Sequence, residues 1–101
     1  MKEGTLVAKI KKYLIKNGAY CENIWGGGFQ AAGIPDIIAC YKGIFLGIEV
    51  KLSYNHVSPI QKAKIKLINN AGGKAIVAYG LDDVKELLEQ IDREMETNSR
   101  N

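Results

Sequence analysis

DIIACYKGIFLGIEVKL, Asp36 to Leu52, is the stretch on which the fold turns. It divides into two β-rich runs, DIIACY and IFLGIEVKL, at Lys42-Gly43, a dipeptide suited to a tight hairpin because Gly adopts a positive φ without steric penalty. The two runs are expected as antiparallel neighbours. Side chains alternate along a strand, so Leu46, Ile48, Val50 and Leu52 share one face and Phe45, Gly47, Glu49 and Lys51 the other. The first face is core. The second sets a carboxylate beside an ammonium, which reads either as an ion pair on a solvated sheet or as part of a site.

Outward from the hairpin, the pattern predicts helices before and after it. In TLVAKIKKYLIKNG, Leu6, Ile10, Tyr13 and Leu14 recur at helical spacing and Gly18 provides a stop. AYCENIW is a short strand candidate, and WGGGFQAAGIP is a loop by its glycines and proline. After the hairpin, Ser58 is the expected N-cap of a helix with Pro59 at its first position. Ile60, Ala63, Leu67, Ile68 and Ala71 form its apolar stripe, and Gly72-Gly73 end it. KAIVAYG reads as a buried strand that returns parallel to FLGIEVKL by a crossover. LDDVKELLEQIDREM closes the chain as an amphipathic helix on Val84, Leu87, Leu88, Ile91 and Met95, with Asp82 and Asp83 at its positive end. The expected organisation is an α/β fold of order α-β-β-β-α-β-α, a mixed central sheet flanked by helices. A single domain is expected over 1–95, with 96–101 as a frayed tail.

Composition narrows the class. The 101 residues are 47% hydrophobic and 25% charged, as in a globular chain with one core. No apolar run approaches the roughly 18 residues of a membrane span and the first residues carry no signal-peptide pattern, so an intracellular, cytoplasmic protein with no membrane partner is expected. Cys21 and Cys40 are spaced as neither a metal knuckle nor a redox pair, and free thiols are expected. The net charge of +3 hides an asymmetry: residues 1–80 hold 11 Lys against 4 acids, whereas 81–101 hold 3 basic residues against 7 acids. So cationic a body suits a polyanion such as nucleic acid.

A turn centred on Lys42-Gly43 pairs Asp36 with Glu49. Like charges opposed on a sheet repel, so an Asp and a Glu placed there without a cation are a poor structural choice. A divalent ion removes the conflict, and oxygen-only donors suit Mg²⁺ or Mn²⁺. Lys51 shares the face of Glu49. Two carboxylates that hold a cation, with an ammonium beside them, are the groups that phosphodiester hydrolysis requires to activate water and offset phosphate charge.

Pro35-Asp36 with Glu49-Val50-Lys51 resembles the signature of the PD-(D/E)XK nuclease superfamily on its αβββαβ restriction-endonuclease-like core. With Glu3 before the first helix, Gly33-Ile34-Pro35-Asp36, Ile48-Glu49-Val50-Lys51 and Ser58-Pro59-Ile60-Gln61, the chain resembles the virus-type replication-repair nuclease (VRR-NUC) branch, over about residues 3–80. The resemblance implies a Mg²⁺- or Mn²⁺-dependent endodeoxyribonuclease in its stand-alone form, similar to Holliday-junction resolvases, in a viral or bacterial host-cell setting. It implies that Asp36, Glu49, the Val50 carbonyl and Glu3 ligate metal, that Lys51 is the catalytic lysine, and that Gln61 joins the active site. One site per chain and two strands to cut imply a homodimer acting on branched, four-way-junction DNA.

Other readings of the same residues remain. Gln61 completes a Ser58-x-x-Gln61 capping box, a role compatible with one in the site. Glu3 serves equally as a favourable charge at a helix N-terminus. His56, the sole histidine, reads as a loop residue. Trp25-Gly26-Gly27-Gly28-Phe29 lacks the following Gly-Lys-Ser/Thr of a P-loop, which leaves a plain connection or a flexible rim against DNA. Lys9, Lys12, Lys16, Lys62 and Lys66 are candidate phosphate contacts or solvated helix faces. A catalytically silent nucleic-acid-binding module and a non-DNA interaction domain are the rival functions.

Overall fold

The computed structural model describes residues 2–24 and 32–99. The chain runs α1 (Glu3–Lys16), β1 (Tyr20–Asn23), β2 (Ile37–Tyr41), β3 (Ile44–Val50), α2 (Pro59–Asn70), β4 (Lys74–Ala78) and α3 (Leu81–Ser99). The four strands form one sheet in the order β1-β2-β3-β4. β1 and β3 pair antiparallel with β2, and β4 lies parallel to β3, as the hairpin and crossover require. The Trp25–Phe29 stretch lies outside the described residues.

The hairpin turn places both central residues at positive φ, 51° for Lys42 and 83° for Gly43. Such a turn matches the twist of the strands it joins. A positive φ costs a residue with a Cβ, and here the lysine is anchored elsewhere: its Nζ lies 2.7 Å from Asp92 Oδ1 on α3, and the Tyr41 hydroxyl donates to the same oxygen at 2.8 Å.

The core lies between the sheet and the pair α1 and α3. Leu6, Ile10 and Leu14 of α1, Val84, Leu88 and Ile91 of α3, and Leu46, Ile48 and Val50 of β3 are buried together. Each helix contributes the apolar stripe its spacing dictates. α3 continues past Met95 to Ser99, farther than the expected start of the tail, because Glu96-Thr97-Asn98-Ser99 contains no Gly or Pro to break it.

The opposite face of the sheet is covered by α2, which contacts β3 and β4. A Cβ on Gly47 would lie 2.9 Å from Ile68 Cδ1, so the absent side chain lets the helix approach. The packing face of α2 differs from the expected stripe. Gln61, Lys64, Ile65 and Ile68 are the half-buried residues, whereas Ile60, Leu67 and Ala63 are exposed. Both sets have helical spacing, and the face turned to β3 and β4 is the one that carries Gln61 and Ile68.

The outer edge of β4 is blunted by a side chain. Asn69 Oδ1 accepts from the Ala75 N–H at 2.8 Å and Asn69 Nδ2 donates to the Ala75 carbonyl at 3.1 Å, in the manner of a neighbouring strand.

Candidate functional site

The site is built where the hairpin strands part. β2 ends its pairing at Ile37 opposite Ile48, and continuing that register brings Asp36 opposite Glu49. Asp36 is aimed by backbone: the Val50 N–H donates to its Oδ2 at 2.9 Å. The N–H and carbonyl of a strand residue point to the same side, so the Val50 carbonyl faces the Asp36 side as well. Lys51, one residue on, turns its N–H the other way to the Ala78 carbonyl of β4 at 3.0 Å.

Glu49 is only 2% exposed, so its face of the sheet is not the solvated one an ordinary surface ion pair occupies. Its Oε2 accepts from Gln61 Nε2 at 3.0 Å and lies 3.7 Å from Lys51 Nζ. Its Oε1 is buried and, among the described residues, meets no donor other than a proton it could share with the Asp36 carboxyl beside it. Burial, then the neighbouring Asp36 charge, pushes the Glu49 carboxyl up to about 7, and Lys51 only partly offsets this. Burial also raises Asp36, against the stabilising bond from the Val50 N–H. The two acids are thus placed where neither ionises comfortably without a cation.

Gln61 closes the capping box and also reaches Glu49. Its Oε1 accepts from the Ser58 N–H at 2.9 Å while the Ser58 Oγ accepts from the Gln61 N–H at 3.2 Å, closing the capping box, and its Nε2 is left to brace Glu49. Glu3 is held as well: Asn55 Nδ2 donates to Glu3 Oε2 at 2.9 Å, tying the first turn of α1 to the loop after β3. Glu3 and Asp36 line one cavity of about 250 Å³ with Gly4 and Val7. Asn55 was not singled out from the sequence, and the 52 residues separating it from Glu3 leave no local signal for the bond.

Among the described residues, no group of three or more His, Cys, Asp or Glu side chains is placed to hold a metal by itself. The set at hand is a pair, Asp36 and Glu49, with a backbone carbonyl beside it. Mg²⁺ commonly binds through one or two carboxylates and keeps its remaining positions for water and phosphate. The oxygen donors, the Glu49 Oε1 that lacks a donor among the described residues and the raised carboxyls fit a hard divalent cation.

The candidate phosphate contacts divide by place. Lys62 follows Gln61 directly and flanks the site, and Lys66 lies one turn farther along α2. Lys9, Lys12 and Lys16 are exposed along α1. At about 1.5 Å of rise per residue, Lys16 lies roughly 20 Å along the helix from Glu3. His56 is exposed in the loop before α2.

No family model and no curated protein matches the chain. Solved structures do resemble it. A VRR_NUC domain is 21% identical with a TM-score of 0.71, over 86% of this chain and 94% of that one. A VRR_NUC domain protein is 23% identical with a TM-score of 0.70, over 89% and 87%. A Holliday junction resolvase, Hjc, from the archaeal hyperthermophile Archaeoglobus fulgidus is 24% identical with a TM-score of 0.57, over 74% and 65%. The mixed four-stranded sheet with its flanking helices is therefore the fold of VRR_NUC domains, shared with an archaeal Holliday junction resolvase.

Proposed function

We propose that the protein is a Mg²⁺- or Mn²⁺-dependent endonuclease that hydrolyses phosphodiester bonds in DNA, with branched DNA as its preferred substrate. The observation that carries this reading is the carboxylate pair of half-buried Asp36 and buried Glu49, with the Glu49 Oε1 lacking a donor among the described residues and the Lys51 ammonium at its side. The large majority of buried carboxylate oxygens in a purely structural setting have a donor. A cation-binding pair keeps one free for the ion.

The geometry supports the following roles. Asp36 and Glu49 hold the cation, with the Val50 carbonyl on the same side and Glu3 as the acid nearest the pair on α1. When bound, the cation supplies Lewis acidity toward a phosphate oxygen and lowers the pKa of water. The Val50 N–H fixes the Asp36 carboxylate, and Gln61 Nε2 fixes that of Glu49, so neither side chain has to reorganise as substrate arrives. Lys51 donates to the phosphate or to the attacking water, where negative charge grows. Lys62, Lys66 and the α1 lysines contribute a cationic field along the DNA backbone. Preference for branched DNA is supported by the likeness to a Holliday junction resolvase and by the single compact site, which calls for two copies to cut paired strands.

The test is incubation of the protein with four-way-junction, linear duplex and single-stranded DNA in Mg²⁺, Mn²⁺ or chelator. Cleavage that needs the metal and favours the junction is expected. Tight DNA binding with no cleavage under any metal would replace the nuclease by a silent binding module.

A further inference from the structure

Beside the carboxylate pair lies a separate cleft of about 480 Å³, lined by Ser53, Asn55, His56, Val57, Lys62 and Tyr79. Its walls come from three chain segments that also build the site. Ser53 to Val57 form the loop that follows Lys51, and Asn55 of that loop holds Glu3. Lys62 follows Gln61, the brace of Glu49. Tyr79 follows Ala78, whose carbonyl receives the Lys51 N–H. The cleft therefore adjoins the groups placed at the phosphodiester: Ser53 is two residues after Lys51, Lys62 is one after Gln61, and Asn55 is bonded to Glu3 of the neighbouring cavity.

Its chemistry differs from that of the site. Among the described residues its lining holds an ammonium and an imidazole and no carboxylate. Among those residues, too, the Ser53 hydroxyl, the His56 ring, the Lys62 ammonium and the Tyr79 hydroxyl have no hydrogen-bond or ion-pair partner. Tyr79 is 48% exposed, with its backbone pinned by a 2.8 Å bond from its N–H to Asp83 Oδ2, so an accessible ring stands on a fixed main chain. A cationic group suits a phosphate, an accessible aromatic ring suits a base face, and a hydroxyl and an imidazole suit base edges. The volume falls within the few hundred Å³ of small-molecule sites, too small for a duplex and adequate for one nucleotide.

We propose that this cleft is a nucleotide subsite, which takes one unpaired nucleotide next to the scissile bond, with its phosphate at Lys62 and its base on Tyr79. The proposal rests on the nuclease reading for its place in the reaction and extends it to substrate choice. A nucleotide can enter only where its base has left its partner, which costs less at a branch point than inside a continuous duplex, so the cleft favours cutting beside a branch point.

The test is a titration of the metal-free protein in chelator with thymidine 5′-monophosphate, thymidine and inorganic phosphate, followed by backbone amide NMR shifts. The nucleotide is expected to shift Ser53 to Val57, Lys62 and Tyr79, with thymidine and phosphate each binding about tenfold more weakly. Tyr79→Ala should lower nucleotide affinity about tenfold while Tyr79→Phe retains it, since the ring face makes the contact. Shifts confined to other residues, or phosphate binding as tightly as the nucleotide, would overturn the subsite. Cleavage of DNA with no nucleotide shifts would remove the subsite alone. Nucleotide shifts without cleavage would remove the nuclease reading and leave the subsite in place.

Discussion

Glu49 concentrates the chemistry of the molecule in one side chain. Its carboxyl is raised from an ordinary 4.5 to about 7 by burial and by Asp36, so in chelator the folded chain holds a proton that the unfolded chain has already released between those values. Stability of the metal-free protein should fall as pH rises through that window and stay lower above it. Glu49→Gln removes the titrating group, so urea midpoints in chelator at pH 5 and pH 8 should differ less for the variant than for the parent. Parallel changes in both proteins would show that Glu49 is not the source. In the presence of Mg²⁺, Asp36→Asn and Glu49→Gln should each abolish cleavage with the fold intact; undiminished cleavage by both would sink the assignment of the site. Lys51 stands beside the pair with 16% of its side chain exposed, while many other lysines supply the general field. Lys51→Ala should lower the single-turnover rate by roughly 100- to 1,000-fold with little loss of DNA affinity. A normal rate at saturating protein would make it a phosphate contact only.

At the scale of elements, α2 couples stability to the site through its first turn. Ser58→Ala removes the cap and should cost about 1 kcal/mol of unfolding free energy, leaving Glu49 its donor and cleavage largely unchanged. Gln61→Ala removes half the capping box and the brace on Glu49 together, so cleavage should fall in addition; equal cleavage by the two variants would leave Gln61 a purely structural cap. Gly33 matters for a related reason. At φ +81° it brings the segment before Asp36 against α2, and a Cβ there would stand 2.8 Å from the Ile60 carbonyl oxygen. Gly33→Ala should cost at least about 1 kcal/mol for the backbone conformation alone, with Asp36 displaced as well, measurable as reduced stability and reduced metal affinity. The packed face of α2 differs from the expected stripe because Gln61, Ile65 and Ile68 satisfy helical spacing as well as Ile60, Leu67 and Ile68 do. Periodicity locates a helix and leaves its rotation to the partner surface.

For the whole molecule, the charge asymmetry and the single site per chain bear on assembly. On the proposed junction reading, one site per chain acting on two strands calls for two copies related by a two-fold axis. Sedimentation at micromolar concentration, with and without junction DNA, should give a dimer; a strict monomer that still cleaves would favour a nicking or strand-trimming enzyme. Basic residues of both copies would then form one track, so binding should weaken steeply with salt as counterion release ceases to drive it. Extension of the sheet through β4 is disfavoured as the route to a dimer, because the Asn69 amide already occupies the outward N–H and carbonyl of Ala75. Among the described residues no helix is long and apolar enough to cross a membrane.

The order of elements, the hairpin register and the crossover were legible in the chain itself. Each depends on local signals: alternation across Asp36–Leu52, a Lys-Gly turn, and a Ser-Pro start with a Gly-Gly stop around one helix. The opposition of Asp36 and Glu49 followed from that register, since a two-residue turn leaves the pairing no freedom. What the chain could not disclose alone was decided by contacts between residues far apart in sequence. The burial of Glu49 comes from α2 lying over its face of the sheet, the anchoring of Glu3 from Asn55, and the cleft at Lys62 and Tyr79 from three segments meeting at one end of β3 and β4. Hydrogen bonding and spacing along a strand or helix act over a few residues and can be read in order; burial, desolvation and the shape of a cavity are properties of the surfaces that meet, and exist only once the chain has folded.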